Sequence, residues 1–178
     1  WLRGASSVTV LTGAGVSAES GIPTFRSSGS GALPAFWKKF RPEEVATPEA
    51  FRKNPEMVWR WYDWRRVVIA GAKPNPGHFA LAKLELRCAK FALVTQNVDG
   101  LHHAAGSRGV AEIHGSIWTL RCMACGVEWV NREAPLALIP PKCACGGLAR
   151  PGVVWFGEEL PAAVWSAAAE AARSCEVL

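Results

Sequence analysis

Four of the six cysteines stand in two short pairs that could hold a metal ion. Cys122 and Cys125 are separated by two residues, and after a spacer Cys143 and Cys145 are separated by one. Tetrahedral zinc needs four soft ligands from two hairpin turns, and this layout supplies four thiolates. Neither pair contains a histidine or carboxylate that would keep a position for a catalytic water, so the pattern predicts one closed, structural zinc site. The remaining cysteines are expected to be core residues: Cys88 and Cys175.

A glycine turn follows the first apolar run of the chain. Gly13 and Gly15 come directly after the β-branched stretch 8–12, and Ala18 completes a Gly-x-Gly-x-x-Ala pattern. Such glycines let the backbone approach the pyrophosphate of a dinucleotide, and the helix that follows offers N–H donors. A plain strand-to-helix turn would show the same pattern. No Asp or Glu occurs over 27–40, where a dehydrogenase usually has the acidic residue that binds ribose, so the sequence favours a dinucleotide but not an ordinary dehydrogenase.

Polar residues and a histidine follow two further apolar runs. Gln96, Asn97 and Asp99 come after the second run, and His114 ends the third. At the carboxyl ends of parallel strands such side chains face a ligand. A single histidine is more often structural than catalytic, but this position favours a general base that titrates near neutral pH. We interpret the other histidines as structural or surface residues: His78, His102 and His103.

The elements that must position these residues alternate along the chain. Strands are predicted over 8–12, 91–95, 110–114 and 153–156. A helix is predicted to begin at 16, further helices over 48–50, 55–70, 79–86 and 162–173, and a long loop over 21–34. Strands that alternate with helices predict an α/β fold, with a parallel sheet and helices on both faces. Residues 174–178 are typical of a strand that is just starting, and Trp1 indicates a processed N-terminus or a fragment.

The composition narrows the class of protein. With 49% hydrophobic and 20% charged residues in 178 positions, the chain has the balance of a globular domain rather than of a disordered one. No apolar run reaches the ~18 residues of a membrane-spanning helix, and no signal peptide opens the chain, so we expect a cytoplasmic protein without membrane contact. The net charge of +5 comes from scattered Lys and Arg, which argues against nucleic-acid binding.

Several long motifs, in the same order, resemble the sirtuin family of NAD-dependent protein deacylases. The matching stretches are 13–26, 95–102, 114–116, the four cysteines, 150–151 and 153–158. The resemblance covers almost the whole chain and implies an incomplete catalytic domain over 1–178, in which a Rossmann-like part carries a small inserted zinc-binding domain. By this resemblance the Rossmann-like part comprises 1–33, 72–117 and 148–178, the helical segment of the small domain comprises 34–71, and the zinc-binding insert comprises 118–147.

The resemblance also implies a reaction with NAD as co-substrate. The carbonyl oxygen of an acyl-lysine attacks the ribose C1′ of NAD and expels nicotinamide, and His114 then acts as the base toward the ribose hydroxyls. Asn97 is the second catalytic residue implied, and the products are free lysine and O-acyl-ADP-ribose. The residues implied to bind NAD are Gly13, Ala14, Gly15, Ser17, Thr24, Phe25, Arg26, Gln96, Asn97 and Asp99. The residues implied to pair with the substrate protein or peptide, as an added strand, are Val154, Trp155, Phe156 and Gly157.

Two features resemble the branch of the family that removes acidic acyl groups such as succinyl and malonyl. Thr24 stands where many family deacetylases have Asp, and Tyr62 and Arg65 form a Tyr-x-x-Arg pair. At that spacing two helical side chains share one face, so Arg65 could bind a carboxylate in bidentate fashion while Tyr62 adds a hydroxyl. By spacing alone, a core tyrosine and a snorkelling arginine on an amphipathic helix would be the favoured interpretation. With the resemblance to this branch, the favoured interpretation of Tyr62 and Arg65 becomes a pocket for the acyl group.

Family members continue beyond residue 178. A strand leading to a Gly-Thr-Ser turn and then an Asn-x-Glu segment are expected next, both at the NAD site, and neither is present. We therefore expect the C-terminal strands of the sheet to be missing and one edge of the sheet to be unpaired.

Two functions other than catalysis stay open at this point. The chain could be an inactive, truncated relative, stapled by zinc, that binds NAD or acyl-lysine without turnover. A nucleic-acid-binding zinc protein ranks far behind, because only the net charge and the cysteine pairs support it and no basic and aromatic residues alternate around the cysteines.

Overall fold

The computed structural model describes Leu2, residues 4–24 and residues 41–178. Two residues predicted to bind NAD, Phe25 and Arg26, lie outside the described residues, as do Trp1 and most of the predicted loop. Within the described part of the chain, no helix is both long and apolar enough to cross a membrane.

Strands in the described residues form two separate three-stranded sheets. They are β1 (Ser7–Thr12), β2 (Lys90–Thr95), β3 (Val110–Glu112), β4 (Gly115–Cys122), β5 (Glu128–Val130) and β6 (Ala149–Val153). The first sheet is parallel and has the order β1-β2-β3, and the second is antiparallel with the order β5-β4-β6. The carboxyl ends of the three parallel strands therefore meet at one edge of the first sheet.

Capping residues determine where the principal helices begin. A 3-10 helix spans Ala14–Ser20, and the α-helices are α1 (Pro42–Val45), α2 (Pro48–Lys53), α3 (Pro55–Gly71), α4 (Pro76–Glu85), α5 (Leu101–Ala104) and α6 (Ala162–Ser174). The side chains of Thr47, Asn54 and Asn75 accept hydrogen bonds from the first turns of α2, α3 and α4, and a proline follows each cap. The helix predicted to start at residue 79 therefore begins three residues earlier, directly after its Asn-Pro cap.

Helices cover both faces of the parallel sheet. Val94 of β2 packs with Ala168 of α6 on one face. Side chains alternate along a strand, so the next residue, Thr95, points to the other face, where its hydroxyl accepts a hydrogen bond from Thr12. Thr12 in turn contacts the ring of His102 in α5. This arrangement confirms the predicted α/β fold with a parallel sheet between helices.

The larger core lies between α3 and the antiparallel sheet. Trp59, Trp61 and Tyr62 of α3 are buried there together with apolar residues of β4 and β6. The indole Nε1 of Trp59 donates to the Ala149 carbonyl at 2.7 Å, so even the polar end of this side chain has a partner. The cluster of tryptophans thus forms the core that holds α3 against the second sheet.

A buried arginine ties α3 to the chain that follows β5. Arg66 is fully buried, and its guanidinium donates to the carbonyls of Ile117, Asn131 and Glu133. Asp63, one turn earlier, accepts from the Leu136 N–H at 2.7 Å. Because a buried charge is tolerated only when its donors are satisfied, these bonds fix the orientation of α3 and of the side chains on its other face.

The strand predicted over 153–156 is wrong in position. The structure forms β6 over Ala149–Val153, and Val154–Phe156 lie outside any strand. Residues 149–153 include Arg, Pro and Gly, which are not typical of a strand, so the sequence pattern did not predict β6. Proline is tolerated there because β6 lies at the edge of its sheet. The predicted domain boundary at 117/118 cuts through β4, and β6 pairs with β4 although 148–178 was predicted as Rossmann-like. The remaining division into domains stays a prediction.

The end of the chain runs along the outer edge of β1. The Thr9 N–H donates to the Val177 carbonyl at 2.9 Å, and Val8 and Val177 form an isolated parallel bridge. The strand expected over 174–178 is therefore present as this single bridge.

Candidate active site

A cavity of about 530 Å³ opens where the parallel strands end. Its walls come from the glycine turn after β1, the loop after β2, the α3 helix and the segment after β6. Its volume is in the range of small-molecule sites. The predicted site residues that line it are Ala14, Ser17, Tyr62, Arg65, Gln96, Asn97, Asp99, His114, Val154, Trp155, Phe156 and Gly157.

The glycine turn faces open space. Gly13 has an extended backbone, with φ of −144°, and a Cβ built there would meet its nearest described neighbour, Gln96 Oε1, only at 3.7 Å. A Cβ at Gly15 would meet no described atom within 4 Å. The packing of the described chain therefore does not require glycine at either position. Room in front of the backbone is what a dinucleotide pyrophosphate needs, so the turn fits this ligand.

The Ser17 hydroxyl is the centre of a buried hydrogen-bond network. It donates to Asp99 Oδ2 at 2.7 Å and accepts from Asn97 Nδ2 at 3.0 Å. His78 Nε2 lies 3.4 Å from the same oxygen, and His78 Nδ1 accepts from the Asn75 N–H, so Nε2 carries the proton and donates. Ser17 thus uses its one proton and both acceptor sites.

This network also orients the Asn97 amide. Because the nitrogen of the amide donates to Ser17, its oxygen points elsewhere, and among the described residues none donates to it. The Asn97 N–H is held by Thr95 Oγ1 at 3.1 Å. Asn97 is 8% exposed and lines the cavity, so its free oxygen can accept a hydrogen bond from a ligand hydroxyl.

Two histidines that we interpreted as structural or surface residues lie directly behind this network. His78 and His102 are both buried, with ring centroids 4.8 Å apart. Burial lowers the pKa of His78, and burial together with His78 lowers the pKa of His102 to about 4. Both rings are therefore neutral near pH 7. The sequence could have shown that His78 is part of a helix cap, because it occupies the third position of the helix capped by Asn75. It could not have shown the contact of His78 with Ser17.

His114 stands at the mouth of the cavity, two residues beyond β3. Its Nδ1 lies 3.1 Å from the Gln96 carbonyl oxygen. A carbonyl can only accept, so Nδ1 carries the proton, and no described residue bonds to Nε2. A backbone bond of this kind fixes the tautomer of a catalytic imidazole and leaves the other nitrogen to act as a base.

Tyr62 and Arg65 lie on the opposite wall, contributed by α3. Tyr62 is 4% exposed, and its hydroxyl accepts from Trp155 Nε1 at 3.0 Å. Burial raises the pKa of Tyr62 to about 12, so the hydroxyl keeps its proton. The guanidinium of Arg65 lies 4.9 Å from the Trp61 ring centroid. Burial lowers the pKa of Arg65, while Tyr62 and Asp99 act in the opposite direction.

The segment 154–157 uses much of its backbone within the chain. The N–H of Val154 donates to the His114 carbonyl and that of Phe156 to the Ala46 carbonyl, both at 2.9 Å. The Trp155 N–H donates to the Glu158 carboxylate at 2.8 Å. The Trp155 carbonyl accepts from the Glu158 N–H at 3.0 Å. Against the described residues, an added substrate strand would therefore find the Gly157 N–H and the other carbonyl oxygens of this segment, and the predicted pairing stays a prediction. Thr24 is half-buried and lies outside the lining of the cavity.

The four paired cysteines converge at a second place, in the loops around the antiparallel sheet. Their Sγ atoms all lie within 4.8 Å of one another, with separations of 3.5 Å for Cys122 and Cys145 and 3.8 Å for Cys125 and Cys143. Zinc–thiolate bonds of ~2.3 Å in a tetrahedron set sulfur separations of about 3.8 Å. The residues therefore fit one zinc ion, and all four ligands come from the chain, as in a structural site.

Backbone groups prepare the zinc site for a thiolate. The N–H groups of Cys125 and Ala124 point at Cys122 Sγ and lower the pKa of this thiol to about 6. The backbone of Gly147 lies so close to Cys122 that a Cβ at this position would be 2.9 Å from Cys122 Sγ. This close approach explains why a glycine follows the pair formed by Cys143 and Cys145. The cysteines are thus positioned to bind a structural zinc, as the spacing predicted.

Comparisons with known proteins agree with this geometry. A model of the Sir2 family matches residues 13–178. The chain is 57% identical over 171 residues to an NAD-dependent protein deacylase of Aquifex aeolicus, covering 96% of this chain and 70% of the relative. It is 49% identical to NAD-dependent protein deacylase 1 of Pseudomonas aeruginosa, covering 99% and 72%. Other relatives are covered over 60% to 66% of their length, so the chain spans about two thirds of these proteins.

Solved structures give the same result. The chain is similar to a Sir2 homolog bound to NAD, with a TM-score of 0.89 and 46% identity over 99% of this chain and 68% of the other. It is also similar to a Sir2 protein bound to a deacetylated p53 peptide and 3′-O-acetyl ADP ribose, with a TM-score of 0.83 and 33% identity over 99% and 72%.

Proposed function

The chain belongs to the Sir2 family of NAD-dependent protein deacylases, and we propose that it prefers lysine acyl groups that end in a carboxylate, such as succinyl and malonyl. The observation that carries this preference is that Tyr62 and Arg65 line the same cavity as His114. An acetyl group offers nothing that a guanidinium or a phenol could bind at this distance from the lysine. A carboxylate accepts charge-assisted hydrogen bonds from an arginine and a third bond from a hydroxyl.

NAD lies at the end of the cavity beside the glycine turn in this proposal. The open space before Gly13 and Gly15 supports a pyrophosphate there, and the free oxygen of Asn97 supports a ribose hydroxyl. Phe25 and Arg26 enter only from the family motif. The proposed NAD-binding residues are Gly13, Ala14, Gly15, Ser17, Thr24, Phe25, Arg26, Gln96, Asn97 and Asp99.

The proposed reaction runs between this end and the α3 wall. The acyl oxygen attacks the ribose C1′, nicotinamide leaves, and Nε2 of His114 takes a proton from a ribose hydroxyl. That hydroxyl then attacks the acyl carbon, and the lysine leaves as a free amine. Water adds to the same carbon, the bond from this carbon to the C1′ oxygen breaks, and the acyl group stays on the attacking hydroxyl of ADP-ribose. The bond between His114 Nδ1 and the Gln96 carbonyl supports this role, because it presents the unprotonated nitrogen. The substrate is an acyl-lysine peptide or protein.

The charge of the α3 wall supports the acidic acyl group. Although burial lowers the pKa of Arg65, a guanidinium stays protonated in proteins, so the wall keeps one positive charge in a partly desolvated cavity. Asp99 raises the pKa of Arg65, and its carboxylate is already hydrogen-bonded to the Ser17 hydroxyl and the Leu101 N–H. A ligand carboxylate would therefore meet a positive charge on this wall.

Replacement of Arg65 by Met tests the preference. The measured quantity is kcat/KM for nicotinamide release with a succinyl-lysine and an acetyl-lysine peptide, and the ratio of the two. We expect Arg65→Met to lower the succinyl-to-acetyl ratio by roughly 10- to 100-fold, because a buried charge-assisted pair is lost with only one of the substrates. Arg60→Met is the matched control, since Arg60 lies on α3 but is exposed and paired with Glu56.

The outcomes separate the alternatives. An equal loss with both peptides would show that Arg65 supports the fold or the common step and would overturn the acyl preference. Binding of NAD and peptide without any nicotinamide release, in a folded and zinc-loaded sample, would favour the binding module over the enzyme for this chain.

A further inference from the structure

We propose that Trp155 is a specificity-determining positioning residue, which acts by turning the proton of the Tyr62 hydroxyl toward the acyl group. The inference rests on the proposed preference for acidic acyl groups. It assigns to the indole side chain a role distinct from pairing with the substrate backbone.

The hydrogen bond between the two side chains has only one possible direction. An indole N–H is a donor and never an acceptor, so Tyr62 must accept the bond from Trp155 Nε1 at 3.0 Å. The phenol then has one proton left to donate. Among the described residues nothing accepts that proton, and both side chains line the cavity. With one side of the oxygen occupied by the indole, the cavity is the direction that remains for the donor.

The indole is itself held so that it cannot turn away. The Arg150 guanidinium lies 3.5 Å from the Trp155 ring centroid, and Phe51 packs on the indole with ring centroids 5.2 Å apart. Arg150 is 9% exposed and forms a bidentate pair with Glu158 at 2.6 and 2.8 Å. Glu158 also accepts from the Trp155 N–H. Contacts therefore hold both the ring and the backbone of Trp155 in place. Because the indole is fixed, its hydrogen bond also fixes the orientation of the Tyr62 hydroxyl.

A fixed donor discriminates between acyl groups by the difference in their chemistry. A carboxylate accepts hydrogen bonds only, so it gains from a hydroxyl whose proton already points at it and whose oxygen is polarised by a second bond. A freely turning hydroxyl would offer its proton only part of the time. An acetyl group has no acceptor at that position and is indifferent to the proton. Loss of the indole N–H should thus alter selectivity more than the common reaction.

Trp155→Phe removes the N–H and keeps an aromatic ring for Arg150. We would measure the Kd of fluorescein-labelled succinyl-lysine and acetyl-lysine peptides by anisotropy, which requires no turnover. The succinyl preference, the ratio of the two constants, should fall about five- to tenfold, the effect of losing one ordinary hydrogen bond. Trp165→Phe is the matched control, because Trp165 lies on α6 with 50% of its surface exposed. The ratio divides out any loss that both peptides share.

A double-mutant cycle shows whether the indole acts through Tyr62. Tyr62→Phe should lower the ratio by a similar factor, and Trp155→Phe should change nothing further in that background. In the nuclear magnetic resonance spectrum, the indole Nε1–H signal of Trp155 should move upfield in Tyr62→Phe, which reports the bond itself without any substrate. An unchanged signal, or an undiminished effect of Trp155→Phe in the Tyr62→Phe background, would overturn the inference.

The outcomes also distinguish this inference from the function on which it rests. If Arg65→Met lowers the succinyl preference and Trp155→Phe leaves it unchanged, the acyl preference stands and the role of Trp155 is wrong. If the unmodified protein binds both peptides equally, the acyl preference fails, and the role of Trp155 fails with it.

Discussion

The two walls of the cavity differ in how completely their polar groups are hydrogen-bonded. On the wall beside the parallel sheet, the Ser17 hydroxyl uses its proton and both acceptor sites, shared among Asp99, Asn97 and His78. On the wall made by α3, the Tyr62 hydroxyl has one partner among the described residues and a proton to spare. The first wall is a closed polar network, and the second is an aromatic surface with one donor, the Tyr62 hydroxyl, that no described residue accepts.

In the proposed function, the first wall therefore serves the step that every substrate shares, and the second wall serves the choice among acyl groups. A saturated buried network holds its members in one arrangement, since moving any of them leaves a buried polar group without a partner. Such rigidity suits the binding of a constant co-substrate. A wall with a spare hydroxyl proton gains only from a ligand that supplies an acceptor, so it suits the acyl group, which varies. Changes on the first wall should therefore affect all acyl groups equally, and changes on the second should alter the preference.

The largest effect is expected at His114, which faces both walls. His114→Ala should lower NAD-dependent deacylation by roughly 1,000-fold with both the succinyl and the acetyl peptide, because a general base typically contributes two to four powers of ten. Turnover is measured by mass spectrometry of the released lysine peptide. His103→Ala, on the exposed side of α5, is the control. A loss confined to one peptide would assign His114 to acyl choice rather than to the common step.

Ser17→Ala tests the closed network. Removing the hydroxyl leaves the Asp99 carboxylate and the Asn97 amide without their shared partner, so we expect NAD affinity to fall about 100-fold, equally with either acyl peptide. Isothermal titration with NAD gives the dissociation constant. Ser166→Ala, on the exposed face of α6, should leave the affinity unchanged. If only the succinyl peptide were affected, the separation of the two walls would be incorrect.

Acid should weaken the fold through the first wall. Burial and His78 lower the pKa of His102 to about 4, whereas an unfolded histidine titrates near 6.5. Between pH 6.5 and 4 the unfolded chain binds a proton that the folded chain excludes, so the free energy of unfolding should fall by roughly 3 kcal/mol as the pH falls through this window. Tyr62 titrates only at about pH 12, so the second wall adds nothing there.

Urea denaturation between pH 7 and pH 4 measures this slope. His102→Gln keeps a nitrogen donor for the Thr12 hydroxyl but cannot bind the extra proton, and it should flatten the curve. His103→Gln serves as the control. A slope that His102→Gln leaves unchanged would exclude His102 as its source.

The smallest effect is expected from Tyr62→Phe, which deletes the spare proton of the second wall. The succinyl-to-acetyl ratio of kcat/KM should fall about five- to tenfold, because one hydrogen bond with a net strength of about 1 kcal/mol is lost. The acetyl peptide is the internal reference. A fall of equal size with both peptides would mean that Tyr62 supports the shared step, and the contrast between the walls would not hold.

Several parts of the site could be read from residue types and spacing. The two cysteine pairs predicted a zinc site because ligand spacing in a hairpin turn is a local property, and the four sulfurs do converge. The glycine turn, the cluster at Gln96 and His114 each follow a strand, and the ends of parallel strands must meet at one edge. Tyr62 and Arg65 share a helix face at a spacing of three residues. All of these depend on short stretches of chain.

Other features depended on partners far away in the sequence. His78 contacts Ser17 across 61 positions, so its isolated place in the sequence gave no sign of the network. The strand β6 was misplaced because Arg150, Pro151 and Gly152 carry no strand pattern, and pairing with β4 alone makes them a strand. Local propensity is weaker than a long-range pairing that buries the segment.

The sequence by itself thus determined which chemical groups exist and which local turn or helix carries each one. It determined the family and the four cysteines of the zinc site, and it predicted the base at His114 and the residues of the α3 pair. Only the tertiary structure decided the direction of each hydrogen bond: that Ser17 is saturated, that His78 and His102 are neutral, and that Trp155 occupies one side of the Tyr62 oxygen. The reason is that donors, acceptors and pKa values are set by what surrounds a group after folding, and those surroundings come from distant parts of the chain.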